Sequence, residues 1–264
     1  MVAGEFRGEV ASCYARYRRG YPAAFTSMLA RALRLGPDAV VADIGCGTGQ
    51  LTIPLAGQAR AVAGVDPEPD MLALAAHAAA AQKVTNVTWV LGSDEALPAL
   101  ATLAGGPVLD AVTVANAIHL MPEQRLLTAA ATALRPGGGI AIIANGTPLW
   151  QQPSDWSQAV RRALEEWLGT RLESCCGTDQ RSRQRYRDAM LRAGLTDVRE
   201  EYCEYTGHLG IDELVGGLYS AMPAHLLPPA AERSEFAARI RRAVGGQTRF
   251  TEQVRVAALI GFRS

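Results

Sequence analysis

Long hydrophobic runs are missing from this chain of 264 residues. The most apolar helix-like stretch, residues 71–81, is too short to cross a bilayer and carries His77, so a membrane-spanning protein is not expected. Residues 1–20 offer no apolar core for a secretory signal, because Glu5, Arg7, Glu9, Arg16, Arg18 and Arg19 interrupt them; a cytosolic location is expected. An excess of one charge is also missing. Acidic and basic residues number 26 each, which removes any global electrostatic reason to gather on nucleic acid or an anionic membrane. Cysteine is scarce and unpatterned: Cys13, Cys46, Cys175, Cys176 and Cys203 lack the paired spacings of a zinc site, and an odd count argues against a disulfide framework. A bridge between the neighbours Cys175 and Cys176 would be strained, so reduced, incidental thiols are the favoured reading over a redox switch. The four histidines form no metal cluster with nearby acids, and no metal is expected. Internal repeats and low-complexity linkers are likewise missing.

What is present is alternation. Residues 40–44 form a short apolar segment, followed by three glycines and an amphipathic stretch: strand, tight turn, helix. A second strand at 61–65 ends in Asp66. An Ala- and Leu-rich helix is expected at 71–81 and strands at 87–91 and 109–114. A helix at 123–134 then leads through the Arg135-Pro136-Gly137-Gly138 turn to a strand at 140–144. Such spacing implies an α/β fold with a parallel sheet covered on both faces, because each crossover packs a helix back onto the sheet. The regularity breaks after residue 145. Residues 146–177 hold Trp150, Trp156 and Trp167 around a helical run, as an inserted cap would, and a helix follows at 181–193. Late strands at 198–205 and 253–261, separated by a helical insertion at about 211–244, suggest an antiparallel edge hairpin completing a mostly parallel sheet of seven strands. We read one domain: a helical segment at 1–36, a half at 37–145 built around the glycine turn, and a half at 146–264 carrying the insertions.

The strongest chemical signal is Asp43-Ile44-Gly45-Cys46-Gly47-Thr48-Gly49, lying directly between strand and helix. Glycines at alternate positions let the backbone turn sharply and let a ligand approach without meeting a Cβ, while N–H groups of the helix start point into the gap. Asp66, at the end of the next strand, is placed to accept hydrogen bonds from both hydroxyls of an adenosine ribose; a helix cap before Pro67 is a compatible second role. Nicotinamide enzymes use the same two devices. Their fingerprint, however, sets the third glycine three residues after the second, whereas Gly45, Gly47 and Gly49 are evenly spaced and preceded by an acid, which disfavours an oxidoreductase.

Val41-Ala42-Asp43-Ile44-Gly45-Cys46-Gly47-Thr48-Gly49 resembles the first motif of class I S-adenosylmethionine-dependent methyltransferases, in particular the small-molecule branch related to quinone-biosynthesis and trans-aconitate methyltransferases. Tyr14-Ala15-Arg16-Tyr17-Arg18-Arg19-Gly20-Tyr21-Pro22 resembles that branch's N-terminal segment, with Arg19 where proline is usual. Residues 92–98 resemble its adenine loop, and Leu134-Arg135-Pro136-Gly137-Gly138-Gly139 its turn before strand five. The resemblance covers about residues 6–145 and implies a three-layer Rossmann-like fold binding S-adenosylmethionine, with S-adenosylhomocysteine as product. It also implies residue roles. Gly45, Gly47 and Gly49 would pass the methionine portion, Asp43 would orient the loop, Asp66 beside Pro67 would hold the ribose, and Met71 would pack on adenine. In the adenine loop Ser93 stands where an acid is usual, so either Asp94, followed by Glu95, substitutes or backbone groups suffice. Arg18 would pair with the cofactor's carboxylate while Tyr14 and Tyr21 help close a lid; a surface helix with inward-packed tyrosines is the plainer alternative.

Asn116, just past strand four, would shape the pocket near the sulfonium, or be a simple turn residue. The candidate general base is His119, at the strand-end edge where open α/β sheets bind ligands; a structural histidine beneath the loop is an equal reading. Trp150, Trp156, Tyr219 and Met222 together hint at a hydrophobic or aromatic small-molecule acceptor, although core packing is the stronger reading for any one of them. The Arg-rich runs at 161–162, 181–187 and 239–242 read as solvated helix faces. A monomer or homodimer is expected. A cofactor-bound protein that does not methylate remains the competing function on the same fold.

Overall fold

The computed structural model describes residues 6–103, 105–172, 177, 179–222 and 224–264, with Leu103 and Ala224 described by backbone alone. Cys175 and Cys176 lie outside the described residues. Helices α1 (Glu9–Tyr17) and α2 (Ala23–Ala32) precede β1 (Val40–Ile44), α3 (Thr52–Ala56), β2 (Ala61–Asp66), α4 (Pro69–Ala81), β3 (Val87–Leu91) and α5 (Ala96–Leu103). There follow β4 (Leu109–Ala115), α6 (Glu123–Ala133), β5 (Leu134–Asn145), α7 (Asp155–Leu168), α8 (Gln180–Arg192), β6 (Leu195–Gly210), α9 (Ile211–Tyr219), α10 (Arg233–Ala243) and β7 (Arg249–Arg263). The strands form one seven-stranded sheet in the order β3-β2-β1-β4-β5-β7-β6. The first five are parallel and β7 runs antiparallel to both its neighbours, as the strand spacing implied. Strand order reverses between β1 and β4, and a crevice opens beyond the carboxyl ends at that point.

The central strands are continuous apolar runs because both faces are covered. On one face Val112, Val114, Ile140 and Ile142 pack with Leu126 and Leu127 of α6 and Tyr186 and Met190 of α8. On the other, Val41, Val62, Ala141 and Ile143 pack with Phe25 and Leu29 of α2 and Leu55 of α3. A third core lies off the sheet, where Trp156, Val160 and Leu164 of α7 meet Leu214 and Leu218 of α9 and Phe236 and Ile240 of α10. Its platform is the β6–β7 pair, which runs on past the end of β5: Asn145 is matched to Val256, while β6 and β7 stay paired to Gly210 and Arg249. These strands are longer than the pattern at 198–205 and 253–261 suggested: their outer halves alternate exposed and covered residues, with Phe250 and Leu209 packed on the cap helices.

Two local differences have identifiable causes. The Arg135-Pro136-Gly137-Gly138 turn is present, but as a bulge within β5: Leu134 pairs with Leu109 and Gly139 with Ala111, leaving residues 135–138 opposite Asp110. Asp110 holds the bulge, accepting from Arg135 Nε at 2.6 Å and from the Val40 amide at 2.8 Å. Helix α5 occupies part of a stretch read only as a loop, with Leu97 seated in the core.

Gly49 closes the first turn against β3. Its φ is 82°, and a Cβ there would stand 3.0 Å from Trp89 Cη2, 3.2 Å from Ile53 Cδ1 and 3.3 Å from Ala75 Cβ. Gly49→Ala therefore combines left-handed strain with overpacking and should lower unfolding stability by about 2–4 kcal/mol. A denaturant midpoint indistinguishable from the parent's would show that the turn has room to relax.

Candidate active site at the carboxyl ends of the strands

The glycine turn is pinned to the neighbouring strand. Gly45 and Cys46 donate their amides to Val65 O at 2.8 and 3.0 Å, and Gly45 and Gly47 turn through φ of 69° and 55°. Asp66 then ties strand end to turn: Oδ2 accepts from the Gly47 amide at 2.9 Å and Oδ1 from the Glu68 amide at 3.0 Å. Each oxygen keeps a lone pair for a ligand hydroxyl. Burial pushes the Asp66 carboxyl above its ordinary value, and the Glu68 and Gly47 amides oppose that shift.

Asp43 lies beneath the turn. Its Oδ2 accepts from Thr52 Oγ1 at 2.6 Å and its Oδ1 from Thr113 Oγ1 at 2.7 Å, both hydroxyls being fully buried. Burial raises its pKa to about 6 against the two hydroxyl hydrogen bonds. Cys46 is also buried, which pushes its thiol well up and keeps it protonated.

A cavity of about 440 Å³ runs from this turn across the strand ends. Of the residues singled out in the sequence, Tyr14, Arg18, Tyr21, Asp43, Gly45, Gly47, Asp66, Met71, Asn116, His119 and Trp150 line it. Helix α1 supplies its roof. It is held at one end by Asp70 Oδ2, which accepts from the Gly8 amide at 2.7 Å, and on its side by a Glu9–Arg233 ion pair and the Tyr17 ring laid against Gly216 of α9. The Tyr14 ring stands 3.7 Å from where a Cβ on Gly47 would be, and the Arg18 guanidinium lies 5.1 Å from the centre of that ring. Arg18 makes no ion pair with a described residue, and its Nε is buried without a partner. Tyr21 stacks on Phe25 at 5.6 Å; burial and the nearby Tyr14 and Asp43 push its hydroxyl well up.

Asn116 adopts φ of 51°, and its Oδ1 accepts from the Asn145 amide at 3.0 Å, so it joins the ends of β4 and β5. His119 sits in a single turn of 3-10 helix, with Nδ1 buried and unpartnered. Burial, reinforced by the Arg18 charge, lowers its pKa below 6.5 and leaves a neutral imidazole at neutral pH.

Several expected residues stand elsewhere. Gly49 faces Trp89 rather than the cavity, and Pro67 is not part of the wall. Nor do the adenine-loop residues Ser93, Asp94 and Glu95 line the cavity. Asp94 is buried in a two-pronged contact with Arg125 of α6, at 2.8 and 3.1 Å, and Glu95 accepts from the same guanidinium at 2.7 Å. Ser93 Oγ accepts from the Glu95 amide at 3.3 Å. These three groups are occupied in holding α6 and their own turn. The proposed aromatic acceptor pocket also divides: Trp150 lines the cavity, whereas Trp156, Tyr219 and Met222 belong to the cap core. Trp156 packs on Phe250 at 5.4 Å and donates to Thr251 O, and the Tyr219 hydroxyl donates to Arg233 O.

The sequence reading missed Arg19, Glu68 and Asn145 as wall residues. Asn145 was within reach of the strand-end rule that picked out Asn116, since it ends β5 at the same edge. Arg19 stood out only as a departure from the usual proline, and Glu68 gave no local signal.

A seven-stranded sheet of this order with a glycine turn at β1, an acid at β2 and a crevice at the switch point is the Rossmann-like methyltransferase architecture. The comparisons agree. Residues 41–138 match the family described as methyltransferase domain, so the resemblance drawn from the glycine turn is borne out there. Uncharacterized methyltransferases of Mycobacterium tuberculosis and Mycobacterium bovis are 35% identical over 139 residues, covering 52% of this chain and 51% of theirs. The chain thus spans about half the length of those curated relatives. A demethylmenaquinone methyltransferase of Shouchella clausii is 28% identical over 192 residues, covering 64% of this chain and 77% of that protein. Among solved structures, a provisionally assigned type II methyltransferase from Anaeromyxobacter dehalogenans superposes with a TM-score of 0.59 at 21% identity, covering 94% of this chain and 97% of the other. The precorrin 8W decarboxylase of Methanobacterium thermoautotrophicum superposes with a TM-score of 0.56 at 16% identity, covering 93% of each chain. At such identities the likeness is one of fold. Among the described residues, no helix is long and apolar enough to cross a membrane.

Proposed function

We propose that this protein binds S-adenosylmethionine in the crevice and passes its methyl group to a small-molecule acceptor. The observation that carries the reading is the Asp66 carboxylate bound to the Gly47 amide: turn and acid form two walls of one pocket. The wall residues fit the cofactor. Asp66 has acceptor capacity for two ribose hydroxyls, Met71 offers an apolar surface for adenine, and the Gly45–Gly47 turn gives room for the methionine chain. Arg18, unpaired at the roof, would hold its carboxylate, with Tyr14 and Tyr21 alongside. The bound cofactor supplies an electrophilic methyl group on a sulfonium. The chain's own task is then to align the acceptor, exclude water with the α1 roof, and take a proton where the acceptor loses one.

His119 is the group we assign to that proton. Its neutral imidazole lines the crevice with Nδ1 free of partners, and Asn116 beside it shapes the wall at the strand ends. His119→Ala should lower turnover by about 100-fold or more while cofactor uptake persists. In the parent, the acid-side fall in rate should have its midpoint below 6.5, because protonation removes the base at its lowered pKa. A near-normal rate in His119→Ala would reduce this residue to scaffold.

The founding test is calorimetric titration of ligand-stripped protein with S-adenosylmethionine, S-adenosylhomocysteine and NADH, followed by an acceptor screen read by S-adenosylhomocysteine release. Uptake of the first two but not NADH, with product from at least one acceptor, supports the reading. Tight cofactor uptake with no product from any acceptor would favour a protein that uses the same pocket without methyl transfer.

A further inference from the structure

Among the described residues seven buried side-chain polar atoms have no hydrogen-bond partner, and five of these belong to the wall of the one crevice: Arg18 Nε, Arg19 Nη1, His119 Nδ1, Asn145 Oδ1 and Trp150 Nε1. Arg18 and His119 lie on the side already assigned. The other three gather around the segment that leaves β5. Asn145 Nδ2 donates to Gly20 O at 3.1 Å, which brings the Arg19–Gly20 strap against the strand end. The Arg19 guanidinium covers the site from which a side chain on Gly146 would project, and Trp150 follows on the same loop.

Arg19 is also fixed from behind. Its Nε lies 3.1 Å from Oε1 of the buried Glu252 on β7, whose Oε2 accepts from Gln152 Nε2 at 2.8 Å. The charge of Arg19 is thereby compensated inside the protein, while Nη1 is buried without a partner on a residue that lines the crevice. Two N–H donors, from Arg19 and Trp150, and one acceptor oxygen, from Asn145, remain for a ligand.

An occupant that packs against such groups must supply the hydrogen bonds they lack. A purely apolar acceptor would strand all three. A carboxylate would bring a second anion to an arginine already paired with Glu252, at a desolvation cost with no free charge to offset it. Resting on the methyltransferase reading, we propose that Arg19, Trp150 and Asn145 form the acceptor subsite and select a ring compound with a neutral carbonyl oxygen flanked by an N–H or O–H. The oxygen takes the Arg19 and Trp150 donors, the flanking donor meets Asn145 Oδ1, and the ring lies along the apolar wall of Leu120, Pro148 and Leu149.

The test titrates isotope-labelled protein, saturated with S-adenosylhomocysteine, with three matched probes: benzamide, its isosteric anion benzoate, and ethylbenzene. The Trp150 indole N–H signal is identified by its loss in Trp150→Phe. Benzamide should shift this signal and bind about fivefold or more tightly than either other probe, the scale of one hydrogen bond to a charged donor. Arg19→Lys, which keeps a cation opposite Glu252 but loses the fork, should weaken benzamide by a similar factor. Trp150→Phe provides a second variant: it should weaken benzamide and spare ethylbenzene. Tighter binding of benzoate or ethylbenzene than of benzamide overturns the proposal, as does a Trp150 signal that none of the probes moves. Uptake of S-adenosylhomocysteine is measured separately. Its failure removes the methyltransferase reading, and the benzamide titration of unloaded protein then decides the subsite alone.

Discussion

Asp66→Ala should weaken binding of S-adenosylmethionine and S-adenosylhomocysteine by about 2–3 kcal/mol, roughly 30- to 150-fold, measured by calorimetry. Two losses combine. The ribose hydroxyls lose a charged acceptor, and the Gly47 and Glu68 amides, at 2.9 and 3.0 Å from the carboxylate, lose the group that holds turn and strand end together. Asp66→Asn should fall between parent and Ala, because one amide oxygen can serve only part of what two carboxylate oxygens do. Retention of affinity within threefold in Asp66→Ala, with an unchanged unfolding transition, would take Asp66 out of the site and remove the observation on which the assignment stands.

Asp43 governs stability more than contact. In Asp43→Ala the fully buried hydroxyls of Thr52 and Thr113 lose their shared acceptor and a small void opens beneath the turn, so unfolding stability should fall by about 2–4 kcal/mol. Asp43→Asn should behave differently. A pKa raised from 3.8 to about 6 means that the folded state carries the ionised group at a cost of about 3 kcal/mol, which the neutral amide avoids. It gives up two charge-assisted bonds in exchange, and should remain within about 1 kcal/mol of the parent at neutral pH.

The pH dependence separates the variants further. Because folding raises this pKa, the site's contribution is fully present below 3.8 and is lost as pH rises through about 6. In Asp43→Asn that dependence should disappear from denaturant titrations taken on either side of pH 6. Equal damage in the Asn and Ala variants would show that the anion itself, rather than a neutral acceptor of the same shape, holds the turn.

Much of the fold was legible because its signals are local. The β1 run, the evenly spaced glycines and Asp66 specify strand, turn and second strand within a few residues of chain, and the alternation of strands with helices requires a parallel layer. The antiparallel edge followed from two late strands separated by a helical insertion. Less legible were partnerships across long separations. The resemblance to the family's adenine loop makes Asp94, followed by Glu95, a candidate for adenine, with backbone groups as the alternative. Arg125, on α6, claims both carboxylates. For Trp156 and Tyr219 the stronger single-residue reading, core packing, holds, and the pocket they hinted at as a group with Trp150 and Met222 is divided once α7, α9 and α10 are packed together.

The sequence by itself determined where the crevice lies, since backbone turns at glycine and the period of buried residues are set by neighbours along the chain. Only the tertiary structure decided which polar groups remain free to meet a ligand. Arg19, Asn145 and Trp150 are brought to one wall, and Asp94 is withdrawn from it, by contacts between segments tens of residues apart. A buried polar atom is spent or spare according to what the folded chain places within hydrogen-bonding distance of it.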